Sequence, residues 1–216
     1  LLQPTLFQKL LSWLIPVRIK RLSSKLHPIL EIFLFRNEWQ LATEDAIYSD
    51  GSRYRPLVKA FAKIEQSFSN NTRMLVLGAG LGSAISVLKK KGFCLKITLV
   101  DNDEEIIRLN KDWRWKETAK AMFLHEDAQQ FIKTDAQQYD VVVVDVFKDR
   151  IVPTFVSEHI FLQQCHDKTI SGGKVIINYI INNEMRWKQM EANFKLVFPR
   201  NEVVCFGINR VMIATV

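Results

Sequence analysis

The chain has 216 residues, 48% of them hydrophobic and 25% charged, a balance that supports one sizeable core and excludes a disordered or fibrous polypeptide. Its formal charge of +7 comes from 30 bases scattered among 23 acids rather than from a block, which argues against a nucleic-acid partner. Cys94, Cys165 and Cys205 have no paired spacing, so free thiols in a reducing, cytoplasmic compartment are expected, and no apolar run reaches the ~18–20 residues of a membrane span.

In the opening segment Leu6, Phe7, Leu10, Leu11 and Leu14 recur at helical spacing with Gln8, Lys9 and Ser12 opposite, and Pro16 ends the pattern. This predicts a short amphipathic helix. The run from Leu10 to Ile15 imitates a signal core but has no small-residue cleavage site. Lys9, Arg18, Lys20, Arg21 and Lys25 lend the region a positive cast that suits a membrane surface, although packing on its own domain or on a sister subunit is the plainer expectation. Ile29 to Phe35 and Trp39 to Thr43, joined by Arg36-Asn37-Glu38, read as a β-hairpin, and Asp50-Gly51-Ser52 as a turn. A helix-and-hairpin appendage is therefore expected over 1–50 and the main domain over 51–216.

The main domain opens with a helix that carries Tyr54, Leu57, Phe61, Ile64 and Phe68 on one face. From Met74 onward strand and helix alternate, which predicts an α/β fold with a mostly parallel sheet covered on both sides. Strands are expected from Met74 to Leu77, Leu95 to Val100, Ala121 to His125, Tyr139 to Asp145 and Lys174 to Tyr179. Helices are expected over Leu81 to Lys91, Glu104 to Lys111, a segment with Phe131 and Ile132 capped by Asp127, Pro153 to about Thr169, and Met185 to Val197. Glu202 to Phe206 and Val211 to Val216 close the chain as an antiparallel hairpin.

The first of these strands runs into Gly78-Ala79-Gly80-Leu81-Gly82-Ser83. Alternating glycines there allow unusual backbone angles and a close approach of a ligand to main-chain N–H groups, as a nucleotide or nucleoside needs. Asp101 ends the second strand about twenty residues on, where a ribose is held by its hydroxyls. A nicotinamide dinucleotide site favours G-x-G-x-x-G, whose third glycine falls at Ser83, whereas this turn reads G-x-G-x-G. With Asp127 after the third strand and Asp145 after the fourth, the pattern resembles a class I S-adenosylmethionine-dependent methyltransferase. His27, His125, His159 and His166 show no metal-ligand spacing, and no nucleophile elbow or phosphate loop occurs. Trp113-Arg114-Trp115-Lys116 mixes aromatics with bases as a stacking surface does, but such a cluster more often covers the rim of a core.

From about Ile29 onward the chain further resembles the spermidine synthase family and its methyltransferase-like relatives. The residues that carry the likeness are Ala46-Ile47-Tyr48-Ser49-Asp50-Gly51, Tyr54-Arg55, the glycine turn, Val100-Asp101-Asn102-Asp103, Glu126-Asp127-Ala128, Asp145-Val146-Phe147-Lys148-Asp149 and Val152-Pro153. The resemblance implies a Rossmann-like fold with a seven-stranded sheet and a homodimer. It implies a cofactor, S-adenosylmethionine or its decarboxylated form, at Gly78, Ala79, Gly80, Gly82, Asp101, Asn102, Asp127 and Ala128. It also implies a small-molecule acceptor such as an amine at Tyr54 and Asp145; an acid that ends a buried strand beside the cofactor turn is further expected to orient an acceptor amine or hydroxyl and take its proton, with Asp149 and Tyr54 shaping the pocket.

Two positions depart from the family pattern. Leu81 stands where aminopropyltransferases carry the acid of G-G-G-D-G-G that grips the ammonium of decarboxylated S-adenosylmethionine, and leucine offers no such bond. The D-x-x-D-P loop becomes Asp145-Val146-Phe147-Lys148-Asp149, with one residue inserted and a lysine beside a site for a cation. The leading expectation is therefore a spermidine-synthase-like methyltransferase of unknown acceptor. Aminopropyl transfer to a polyamine is the alternative, and a non-catalytic nucleoside-binding module is the third reading.

Overall fold

Four consecutive valines, Val141 to Val144, are all buried, and they mark the middle of the main sheet. The computed structural model describes residues 3–44, 46–113 and 120–216. Of the Trp113-Arg114-Trp115-Lys116 cluster, all but the backbone of Trp113 lies outside the described residues.

The chain begins with α1 (Leu6–Leu11), capped reciprocally by Thr5 and Gln8: the Gln8 N–H donates to the threonine hydroxyl at 3.2 Å and the Thr5 N–H to the glutamine side chain at 2.9 Å. None of its residues is buried, so of the two packings expected for its apolar face, on its own domain or on a sister subunit, the first is not seen. The tie to the body is Ser12, whose carbonyl accepts the Arg36 N–H and whose hydroxyl accepts the Asn37 N–H. An antiparallel sheet follows, β1 (Val17–Leu22), β2 (Leu30–Phe35), β3 (Glu38–Ala42) and β4 (Ile47–Ser49), in that order. The expected hairpin is β2 and β3, turned at Arg36 and Asn37, which both have positive φ as a two-residue hairpin turn demands. The two outer strands enlarge the expected appendage into a four-stranded sheet.

A single 3-10 turn, Gly51–Arg53, leads into α2 (Arg55–Lys63), which has Pro56 in its first turn and buries Leu57, Ala60 and Phe61. The main unit then runs β5 (Arg73–Leu77), α3 (Ser83–Lys90), β6 (Lys96–Asp101), α4 (Glu104–Trp113), β7 (Lys120–His125), α5 (Ala128–Thr134) and β8 (Tyr139–Val144). It ends with α6 (His159–Asp167), β9 (Thr169–Ile180), α7 (Glu184–Val197), β10 (Asn201–Phe206) and β11 (Asn209–Thr215). The seven strands lie in the order β10-β11-β9-β8-β5-β6-β7; β11 is antiparallel to both of its neighbours and the other pairings are parallel. This is the expected Rossmann-like methyltransferase fold. The helix predicted from Pro153 is split, with a 3-10 turn at Thr154–Ser157 before α6, and β9 begins before Gly172-Gly173 rather than after it.

Because strand side chains alternate, neighbouring residues serve opposite layers. Met74, Val76, Val141 and Val143 face the layer that holds Leu57, Phe61, Ile85 and Ile106. Leu75, Leu77, Val142 and Val144 face Phe131, Phe161, Met190 and Phe194. The chain moves outward from β5 to β7 and returns to β8 on the other side of β5, so the switch point lies where β5 and β8 end. Among the described residues no helix is long and apolar enough to cross a membrane.

Candidate active site

At the end of β5 the backbone bends through three glycines of positive φ: Gly78 at 94°, Gly80 at 49° and Gly82 at 70°. A Cβ on Gly78 would lie 2.3 Å from the carbonyl oxygen of Asp145, so this glycine lets the ends of β5 and β8 close on each other. The expected reason, access for a ligand, is thus joined by a packing reason. Ser83 starts α3, and its hydroxyl bonds Ser49 Oγ at 2.6 Å and accepts the Asp50 N–H at 3.2 Å, fixing the glycine turn to β4.

Two amides of this turn are bonded within the protein. Asp101 Oδ2 accepts the N–H of Ala79 at 2.9 Å and that of Gly80 at 3.4 Å, while Oδ1 accepts the N–H of Asp103 at 3.0 Å. Burial raises the Asp101 carboxyl to about 6, against these bonds, which pull it down. A carboxylate offers about four acceptor positions, so with three in use Oδ1 keeps capacity for a hydroxyl. Asp127 caps α5, accepting the Gln130 N–H at 3.0 Å. These residues surround a cavity of about 1030 Å³ at the strand ends, which Gly78, Ala79, Gly80, Asp101, Asn102, Asp127 and Ala128 all line. Gly82, at the start of α3, is not among its lining residues. The volume, the apolar Val100 and Ile106 walls and the spare acceptor on Asp101 fit a nucleoside.

The other end of the cavity is built on Asp145, just past β8. Its Oδ1 accepts the Tyr54 hydroxyl at 3.0 Å and the Asn178 amide at 2.8 Å, and the same amide lies 3.2 Å from the tyrosine oxygen. Burial lifts the Asp145 carboxyl to about 6, and the two donors limit the rise. Burial and the facing carboxylate hold the Tyr54 hydroxyl protonated. The Asn209 amide, at the foot of β11, donates to Asn178 Oδ1 at 3.3 Å and orients its NH₂ toward Asp145. Tyr54 and Asp145, singled out in the sequence, are thus brought together. Asn178 was not singled out; its signal was a lone amide ending the buried run Val175-Ile176-Ile177.

Asp149 lies at the mouth with φ 56°, its N–H bonded to the Tyr48 hydroxyl and its carboxylate 4.0 Å from His27 Nδ1. Ser24, three residues before His27, bonds Asp103 on the far side of the turn. Lys25, Leu26 and His27 therefore form part of the cavity wall, a contribution of the small sheet that sequence reasoning missed. Among the described residues no cluster of His, Cys, Asp and Glu is arranged to hold a metal ion.

A glycine turn, a carboxylate on the next strand and a half-buried acid across the switch point define a member of the Rossmann-like methyltransferase fold class. Comparison with known proteins narrows this. The chain belongs to the spermine/spermidine synthase domain family, whose sequence model matches residues 53–210. A polyamine aminopropyltransferase of Sulfurisphaera tokodaii is 30% identical over 86 residues, 37% of this chain and 29% of that protein. The matched stretch is thus under a third of that relative's length. Among solved structures, a probable spermidine synthase from Corynebacterium glutamicum superposes with a TM-score of 0.76 over 93% of this chain and 80% of its own, at 18% identity. Human methyltransferase-like protein 13, in complex with SAH, gives 0.62 over 74% of this chain and 81% of its own, at 21% identity. At those identities the superpositions speak to fold.

Proposed function

We propose that the protein transfers an aminopropyl group from the sulfonium of decarboxylated S-adenosylmethionine to an amine acceptor. Family membership and the aminopropyltransferase named above weigh toward this reading, the alternative at the level of sequence, over methyl transfer. The observation that carries it is the half-buried Asp145, held by Tyr54 and Asn178 beside the glycine turn. The sulfonium supplies a neutral thioether leaving group, so the protein has only to align the partners and deprotonate the nucleophile. Asp101 accepts from the ribose and Asp127 and Ala128 border the adenine. Asp145, ionised near neutrality, accepts a proton from the amine as its nitrogen bonds to carbon. Tyr54 and Asn178 fix which oxygen lone pair faces the acceptor.

A second reading, methyl transfer from intact S-adenosylmethionine, is favoured by one observation: Leu81, fully buried in the core, leaves no carboxylate there for the cofactor's ammonium. Incubation with each cofactor and a panel of amines separates them. Release of 5′-methylthioadenosine from the decarboxylated form is the expected result, and formation of S-adenosylhomocysteine alone would overturn it. A chain that binds neither nucleoside product would leave only the fold assignment.

A further inference from the structure

The cavity wall carries five acids, Asp50, Asp101, Asp127, Asp145 and Asp149, and five cations, Lys25, Arg53, Arg55, Lys148 and Arg150. What a ligand meets is the charge that remains once internal partners are counted. Asp50 accepts from Arg53 at 2.7 Å and from Gln40 at 2.7 Å, and Asp101 accepts from three backbone amides. Asp127 accepts the Gln130 N–H and Asp145 accepts from Tyr54 and Asn178. Of the acids only Asp149 has no side-chain hydrogen bond, and His27 stands 4.0 Å from it.

The cations divide differently. Arg53 is spent on Asp50 and on the Phe35 carbonyl, and Arg55 lies over the Phe206 ring, 5.6 Å from its centre. Lys25, Lys148 and Arg150 have no side-chain partner among the described residues. Lys148 and Arg150 flank Asp149 in a tight loop, closed by two backbone bonds between Lys148 and Ile151 and pinned where Asn182 donates to the Arg150 carbonyl. The loop is held in place while its charged ends remain uncommitted. Inside lies a carboxylate prepared for an amine; at the mouth lies unspent positive charge, which repels a plain polycation and attracts an anion.

We infer that the acceptor is an amine that also carries an anionic group, in the simplest case a carboxylate, held at the cavity mouth by Lys148 and Arg150 while its amine faces Asp145. This rests on the transferase reading above and names the class of acceptor for that same site. It accounts for the lysine inserted in the loop, which has no purpose in a site for diamines.

Putrescine and ornithine test this directly, because they share a carbon chain and two amines and differ by one carboxylate. The full chain is first titrated with 5′-methylthioadenosine in a calorimeter, then, with that nucleoside saturating, with each amine at low salt. Ornithine is expected to bind at least tenfold more tightly. The preference should vanish in K148Q/R150Q and survive in K148R. Equal or tighter binding of putrescine, no binding of either amine to the nucleoside-loaded protein, or a preference unchanged in K148Q/R150Q overturns the inference while the nucleoside site stands. Failure to bind methylthioadenosine in the first titration overturns the transferase reading and the inference with it.

Discussion

Asp145 has two burdens, a charge kept out of water and a lone pair kept ready, and they pull in opposite directions. Its carboxyl is raised to about 6 by burial, so between the ordinary carboxylate range near 4 and about 6 the folded protein binds more protons than the unfolded chain. Stability therefore declines as pH rises through that interval, and the missing stability remains missing above it. Asp145→Asn retains an oxygen to accept from Tyr54 and Asn178 without the desolvated charge. It should abolish turnover while raising stability at pH 8 by on the order of 1–2 kcal/mol, with little gain at pH 4. Thermal melts at the two values check this, and a variant less stable at pH 8 would refute it. For the parent, kcat/KM should fall as pH drops through about 6, and Tyr54→Phe, by removing one donor, should move that limb upward. The acid was legible because it ends a β-branched run. Asn178 was not, since an amide at the end of an apolar run carries no pattern until its partners, 33 residues back at Asp145 and still further back at Tyr54, are seen in space.

At the level of elements, the position after Gly80 decides how the glycine turn is built. Leu81 is 0% exposed and packs with the helices on one side of the sheet, not in the cavity wall. Restoring an acid by Leu81→Asp should therefore not produce a tighter grip on decarboxylated S-adenosylmethionine. It should bury a carboxylate among apolar groups and lower stability by roughly 3 kcal/mol or more, visible as a reduced denaturant midpoint. A stable variant with improved affinity for the decarboxylated cofactor would show that the turn can rotate this side chain outward. The regular elements from β5 to β11 were readable because strand and helix periods alternate cleanly. The outer strands of the small sheet were not: β1 reads Val17-Arg18-Ile19-Lys20-Arg21-Leu22, whose bases look like a surface segment, and β4 has three residues. Pairing partners made them strands, and neither composition nor period announces a partner.

For the molecule as a whole, the helix at the front buries none of its residues. Phe7 is 71% exposed and Leu10 61%, so neither contributes to the core of this chain. Phe7→Ser with Leu10→Ser should leave the unfolding midpoint of the monomer within about 4 °C of the parent, since each substitution at such positions stays within about 0.5 kcal/mol and about 1 kcal/mol moves the midpoint of a chain this size by roughly 2–4 °C. A larger drop would show that the apolar face is covered in solution. The small sheet, by contrast, is joined to the main unit at both banks of the cleft, through Ser24 on Asp103 and His27 beside Asp149. The residues between them, Lys25 and Leu26, line the cavity with His27. The small sheet thereby supplies part of the cavity wall, and a change in its packing would be felt at two strand ends at once.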